Sequence, residues 1–184
     1  MSNELKGKKV AILVAKGFEE VELTEPKRAL EEAGAETKIV SPERGVVRGW
    51  NFTDWSESIP VDIPLDDADA GDFDALVLPG GVMNPDQLRQ IEKAVELVKE
   101  FFVEGKPVGA ICHAPWTLIE AGVVAGRTMT SYPSLRTDLR NAGANWVDKE
   151  VVVDNGLVTS RDPNDLKAFC AMLIDEIREV ARTR

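Results

Sequence analysis

The sequence predicts one doubly wound α/β domain with a mostly parallel sheet and helices on both faces. Three observations lead there. Continuous apolar runs of strand length, the mark of strands buried on both sides, occur at 9–15, 74–78 and 107–111. Stretches of helical period alternate with them, which calls for crossover connections and parallel pairing. No repeat, linker or low-complexity tract divides the 184 residues, a length that suits a single domain and buries roughly 70% of the unfolded chain's surface.

Element by element, Lys9-Val-Ala-Ile-Leu-Val-Ala15 reads as the first buried strand. Glu19 to Ala33 reads as a helix that Gly34 stops. Thr37–Ser41 is a short second strand. Residues 45–65, with glycine, proline, Trp50, Phe52 and Trp55, break the alternation and suggest a hairpin-like excursion. Asp74–Leu78 is a buried strand ending in Pro79-Gly80-Gly81. Ile91 to Val103 carries Ala94, Val95, Val98, Phe101 and Phe102 at helical spacing. Pro107–Ile111 is a further strand, followed at once by Cys112-His113 and a helix to Ala121. A short strand near Met129-Thr130 and a helix over Ser134–Ala142 come next. Val151–Thr159 is a hairpin, because Asn155-Gly156 is a strong two-residue turn signal. Asp165 to Ala181 closes the chain as an amphipathic helix. The domain is expected over 1–184, with its core at about 8–180.

Composition narrows the function. Twenty-two Lys+Arg against thirty-two Asp+Glu give a net charge of −10, which argues against nucleic acid or an anionic membrane as partner. No apolar run approaches the ~18 residues of a membrane span, and the N-terminus lacks the apolar stretch of a signal peptide. Two cysteines, Cys112 and Cys170, are too few for a disulfide framework, so a cytoplasmic location is expected. With a single histidine, His113, a Cys/His zinc site is not expected, nor any other metal or cofactor.

In such folds ligands gather beyond the carboxyl ends of the strands. Three strand ends carry unusual residues: Gly17-Phe18-Glu19-Glu20-Val21-Glu22, Pro79-Gly80-Gly81, and Gly109-Ala110-Ile111-Cys112-His113-Ala114-Pro115. The last turns abruptly from strand to helix with Cys112 on the corner, the geometry of a nucleophile elbow. A helix start there would favour the thiolate. Gly80 and Gly81 let the backbone approach a substrate and offer N–H donors to an oxyanion. Cys170 falls on the apolar stripe of the last helix and reads as core. Glu19 and Glu22, three apart, share a helix face, so either can meet the sulfur; acidic residues also suit a first helical turn for the dipole alone. Tyr132 is either a pocket residue or a packed loop aromatic.

Taken together, Lys-Gly-Phe-Glu-Glu-Val-Glu-Leu at 16–23, Ala-Leu-Val-Leu-Pro-Gly-Gly at 75–81, Ala-Ile-Cys-His at 110–113, Thr-Ser-Tyr-Pro at 130–133, Asn-Ala-Gly-Ala-Asn-Trp-Val-Asp at 141–148 and Leu-Val-Thr-Ser-Arg at 157–161 resemble the PfpI-type intracellular proteases and deglycases of the ThiJ/PfpI superfamily. The resemblance runs from about Lys8 to Val180. It implies a flavodoxin-like sandwich that forms dimers or higher homo-oligomers. It also implies Cys112 as nucleophile, His113 as its neighbour, Glu22 or Glu19 as the carboxyl near the sulfur, and Asp86 as a triad acid supplied by a neighbouring subunit. Trp116 stands where relatives carry a small or polar residue, so it is expected to shape the pocket, and Asp86 stands where glutamate is commoner.

The function this implies is a cysteine-dependent stress-protection hydrolase acting on glyoxal-type carbonyls or glycated groups. The alternatives are a Cys-His-acid peptidase completed across an oligomer interface, and a non-enzymatic redox sensor or chaperone built on an oxidisable Cys112. Partners are then small carbonyl compounds or peptides. A glutamine amidotransferase is excluded, because it requires a later histidine and none follows His113.

Overall fold

The computed structural model describes residues 3–183, with side chains to residue 180. Residues 1, 2 and 184 of the expected domain lie outside the described residues. Seven strands form the central sheet. β1 (Lys9–Leu13) leads through α1 (Glu20–Glu32) to β2 (Glu36–Ser41). β3 (Val46–Asn51) and β4 (Asp54–Pro60) then leave the sheet, and β5 (Ile63–Pro64) returns to its edge. β6 (Ala75–Leu78) is followed by α2 (Met83–Leu88) and α3 (Glu92–Val103), and β7 (Val108–Ile111) by α4 (Pro115–Glu120). β8 (Thr128–Met129), α5 (Arg136–Asn141) and β9 (Asn145–Trp146) precede the hairpin of β10 (Val151–Asp154) and β11 (Leu157–Ser160). α6 (Leu166–Thr183) ends the chain.

The strand order is β10-β11-β7-β6-β1-β2-β5, parallel except where β10 meets β11, the flavodoxin-like doubly wound arrangement. Each face has its own core. Leu97, Val98 and Phe101 of α3 and Leu118 of α4 cover one side, and Leu23 and Leu30 of α1 with Phe169, Leu173 and Ile177 of α6 cover the other. Ile12 pairs with Val77 and Val77 with Gly109. That register brings the carboxyl ends of β1, β6 and β7 side by side, where the chain reverses its winding direction and α/β folds open a crevice.

Several boundaries differ from the sequence reading. The 45–65 excursion is a two-stranded antiparallel ribbon, β3 with β4, in which Trp50 pairs with Trp55. Gly17 N–H donates to Arg48 O at 2.8 Å and Trp50 N–H to Phe18 O, so the ribbon lies over the loop after β1 rather than over solvent. α2 has no counterpart among the expected elements. The expected helix over Ser134–Ala142 is a 3₁₀ turn at Pro133–Leu135 that continues into α5. The short strand near Met129 pairs in parallel with β9. Asn155 (φ 47°) and Gly156 (φ 82°) both adopt the left-handed conformation, as the predicted Asn-Gly hairpin requires.

Candidate active site

Cys112 follows β7 with φ 64°, a left-handed conformation that costs a non-glycine residue of order 1–3 kcal/mol. Its backbone is held from both sides. Its N–H donates to Ser160 O at 3.1 Å and its carbonyl accepts from Tyr132 N–H at 2.9 Å, while Ala114 N–H donates to Ile111 O at 3.1 Å. The corner is therefore pinned by β11 and by the 131–132 segment. The side chain is buried at the floor of a cavity of about 580 Å³ lined by Glu19, Glu22, Phe52, Met83, Tyr132 and Asp162 among others.

Glu22, on the first turn of α1, is fully buried against the sulfur. Its Oε2 accepts the Gly80 N–H at 2.8 Å, and Oε1 has no hydrogen-bond partner. Burial raises its pKa to about 8, against the opposing effect of the Gly80 N–H. The thiol is also pushed up, first by burial and then by the Glu22 charge; the Gly81 and His113 N–H groups pull the other way. This corrects the expectation of a thiolate stabilised at a helix start. α4 has only six residues and begins three positions after Cys112, too little to outweigh burial beside the Glu22 carboxyl.

Glu19 and Glu22 part company here. Glu19, just before α1, accepts the Phe52 N–H at 3.2 Å at the cavity wall, and burial raises its pKa as well. Gly80 differs from its expected role: its N–H is taken by Glu22, so the donors facing the sulfur are the Gly81 and His113 amides. A Cβ at Gly80 would lie 2.6 Å from the Cys112 Cβ and 2.6 Å from Glu22 Oε2. No other residue type fits between them.

His113 Nδ1 lies 3.1 Å from Cys112 Sγ and Nε2 lies 3.3 Å from Ser134 Oγ. With the proton on Nε2 and directed at Ser134, Nδ1 is left to accept from the thiol. Burial lowers the histidine pKa and favours this neutral ring. Tyr132 stacks on it at 4.6 Å and Trp116 packs edge-on at 5.3 Å. Trp116 does not line the cavity; its Nε1–H donates to Asp138 Oδ2 at 2.9 Å, so it braces the ring from behind. Asp86 is exposed on α2 and is not among the His113 contacts or the cavity walls. Within one chain Ser134 occupies the place expected for the acid. Cys170 is half-buried against the α1–α6 core, its thiol pushed up to about 12 chiefly by burial.

Two residues escaped the sequence reading. Ser134 is one. The other is Asn84, fully buried on α2. Its Oδ1 accepts the Ala15 N–H at 2.7 Å, and its Nδ2 donates to Pro79 O at 2.8 Å and Gly80 O at 3.1 Å. It ties the end of β1 to the loop that carries both Gly80 and Gly81. Among the described residues no cluster of three or more His, Cys, Asp or Glu could hold a metal ion, and no helix is long and apolar enough to cross a membrane.

Compared with known proteins, the chain matches the DJ-1/PfpI family over residues 8–176. It is 48% identical to "Deglycase PfpI" of Pyrococcus furiosus over 161 residues, 88% of this chain and 94% of that protein. It is 47% identical to "General stress protein 18" of Bacillus subtilis over 165 residues, 89% and 94% of the two. The crystal structure of Drosophila melanogaster DJ-1beta superposes with a TM-score of 0.82 at 31% identity, covering 100% of this chain and 97% of that one. A two-domain protein from Anabaena variabilis with DJ-1/ThiJ/PfpI-like and ferritin-like domains gives a TM-score of 0.87 at 35% identity. The match covers 92% of this chain and 48% of that protein, so the chain spans about half its length.

Proposed function

The chain belongs to the DJ-1/PfpI family, and on that premise we propose that it is a stress-protection enzyme that uses Cys112 to convert glyoxal-type aldehydes or the groups they glycate. The observation that carries this reading is the Glu22 carboxyl. It is buried, anchored through one oxygen to Gly80 and unpartnered at the other, beside a thiol whose proton it can take. A base with a pKa near 8 is matched to work close to neutral pH.

The chemistry follows from these groups. Sγ adds to the aldehyde carbon as the thiol proton passes to Glu22, and the carbonyl oxygen is held by the Gly81 and His113 N–H groups until it is protonated. The product is a hemithioacetal. With a 2-oxoaldehyde, a proton then moves from C1 to the neighbouring carbonyl through an enediol, with Glu22 or His113 carrying it. This leaves a thioester of a 2-hydroxy acid. Water attacks the thioester, the acid departs and the thiol is restored. Overall one aldehyde and one water give one hydroxy acid, with no external oxidant. Supplied with methylglyoxal, the protein should form lactate, and Cys112→Ser should abolish this while keeping the fold. Lactate formation at the wild-type rate by Cys112→Ser would overturn the reading.

The 3.1 Å contact between Cys112 Sγ and His113 Nδ1 favours a second reading, a peptidase. Peptide hydrolysis needs an imidazolium oriented by an acid. Within the chain Nε2 meets the neutral Ser134 hydroxyl instead, so this activity depends on Asp86 reaching His113 from another copy of the chain in a homo-oligomer. The small-carbonyl reading needs no such partner and is preferred.

A further inference from the structure

The cavity holds an uneven distribution of charge. Three carboxyl side chains, Glu19, Glu22 and Asp162, line it, and no lysine or arginine does among the described residues. The nearby bases are engaged elsewhere. Arg161, next to Asp162, is paired with Asp165 and Asp148 at 2.9 Å each. Lys16 lies over the Trp55 ring at 4.9 Å, and Arg48 over the same ring at 5.7 Å. Among the described residues, Glu19 and Asp162 take backbone hydrogen-bond partners, the Phe52 N–H at 3.2 Å and the Asn164 N–H at 2.8 Å. Their fields converge on the reacting groups, for both carboxylates strengthen the hold of Glu22 on its proton. Glu22 lines the same cavity, and its buried Oε1 has no hydrogen-bond partner. The rim also carries apolar and aromatic residues: Phe52, Val82, Met83 and Tyr132 line the cavity although each is exposed.

We propose that Glu19 and Asp162 are specificity-determining residues that make this cavity accept neutral carbonyl compounds and reject anionic ones, such as oxo acids and sugar phosphates. The proposal rests on the site assignment above and sharpens its substrate class. An anion nearing Cys112 must enter a low-dielectric cleft beside two carboxylates, with no lysine or arginine lining it among the described residues. A neutral 2-oxoaldehyde carries no charge for these carboxylates to repel and is received by the Gly81 and His113 N–H groups that face the sulfur.

The test reads charge without depending on turnover. Iodoacetamide and iodoacetate alkylate thiols by the same chemistry and differ by one negative charge. Their rate ratio at Cys112, measured in a Cys170→Ser background at pH 7, cancels the thiolate fraction. Relative to the ratio for 2-mercaptoethanol, we expect a preference for iodoacetamide of roughly tenfold or more, since a difference of 1.4 kcal/mol is tenfold. The preference should shrink with added salt. In the Glu19→Gln/Asp162→Asn double variant, which keeps both backbone hydrogen-bond acceptors, the ratio should fall toward the free-thiol value. A wild-type ratio equal to that of 2-mercaptoethanol, or a double variant with the wild-type ratio, would overturn the proposal. Failure of the enzymatic reading would appear separately, as absent methylglyoxal turnover with the charge preference intact.

Discussion

Glu22 and Gly80 are joined by a 2.8 Å hydrogen bond from the glycine N–H to Oε2, which leaves Oε1 buried and without a hydrogen-bond partner in a carboxyl that lies beside the Cys112 thiol. This arrangement stores a proton at a place where folding alone would not put one. A carboxyl removed from water resists ionisation, and one backbone donor offsets only part of that cost.

The first consequence concerns stability. Because the folded-state pKa is raised from 4.5 to about 8, the folded protein binds this proton more tightly than the unfolded chain. The stabilisation is complete below pH 4.5 and is lost as pH rises through about 8. Glu22→Gln removes the titration and can still accept from Gly80. Its stability relative to wild type should rise with pH across that window, by up to a few kcal/mol, and level off above it. Denaturant melts at several pH values check this; a pH-independent difference would contradict it.

Gly80→Ala should damage the site without straining the backbone, because Gly80 is not among the residues with positive φ. The added Cβ meets the Cys112 Cβ, Glu22 Oε2 and the Ile111 carbonyl, all at 2.6–2.7 Å. Overpacking of this kind costs about 1–3 kcal/mol. The expected outcome is a lower melting temperature together with at least a tenfold loss of methylglyoxal turnover.

Asn84→Asp keeps an acceptor for the Ala15 N–H but loses both donors and sets a carboxylate against the Pro79 and Gly80 carbonyls. Leaving buried polar groups unsatisfied costs about 1–3 kcal/mol each. The variant should unfold at lower denaturant. Its residual activity should also show a shifted pH profile, because Gly80 no longer holds Glu22 as firmly. A lower stability with an unchanged pH profile would restrict Asn84 to a structural role.

How much of this was legible in the sequence depends on the range of the interactions. The buried strands were visible because a strand covered on both faces must be apolar throughout, as at 75–78 and 108–111. The elbow was visible because Cys112-His113 follows such a strand directly. Which of Glu19 and Glu22 meets the sulfur was not, since residues three apart share a helix face; the Gly80 N–H, 58 positions away, separates them. Asn84 and Ser134 were missed for a similar reason. Asn84 stands outside every expected element and Ser134 merely begins an expected helix, and only tertiary packing buries Asn84 or brings Ser134 to His113. The thiolate expectation failed because helix-start arguments are local, whereas burial and the charge of Glu22 come from the rest of the fold.

Asp86 offers a test of which chemistry depends on assembly. It is exposed and away from the cavity of its own chain. Asp86→Asn should leave methylglyoxal turnover within about twofold, as surface substitutions usually change energies by under 0.5 kcal/mol, while reducing any peptidase activity strongly. Loss of both activities would place Asp86 in the aldehyde chemistry as well.

The most direct measurement is the pH dependence of kcat/KM for methylglyoxal in the wild type and in Glu22→Gln. With Glu22 as the base that takes the Cys112 proton, wild-type activity should rise with pH along a limb centred near pH 8. Glu22→Gln should be at least a hundredfold less active near neutral pH, with that limb gone. A Glu22→Gln profile that superimposes on the wild type would contradict the assignment.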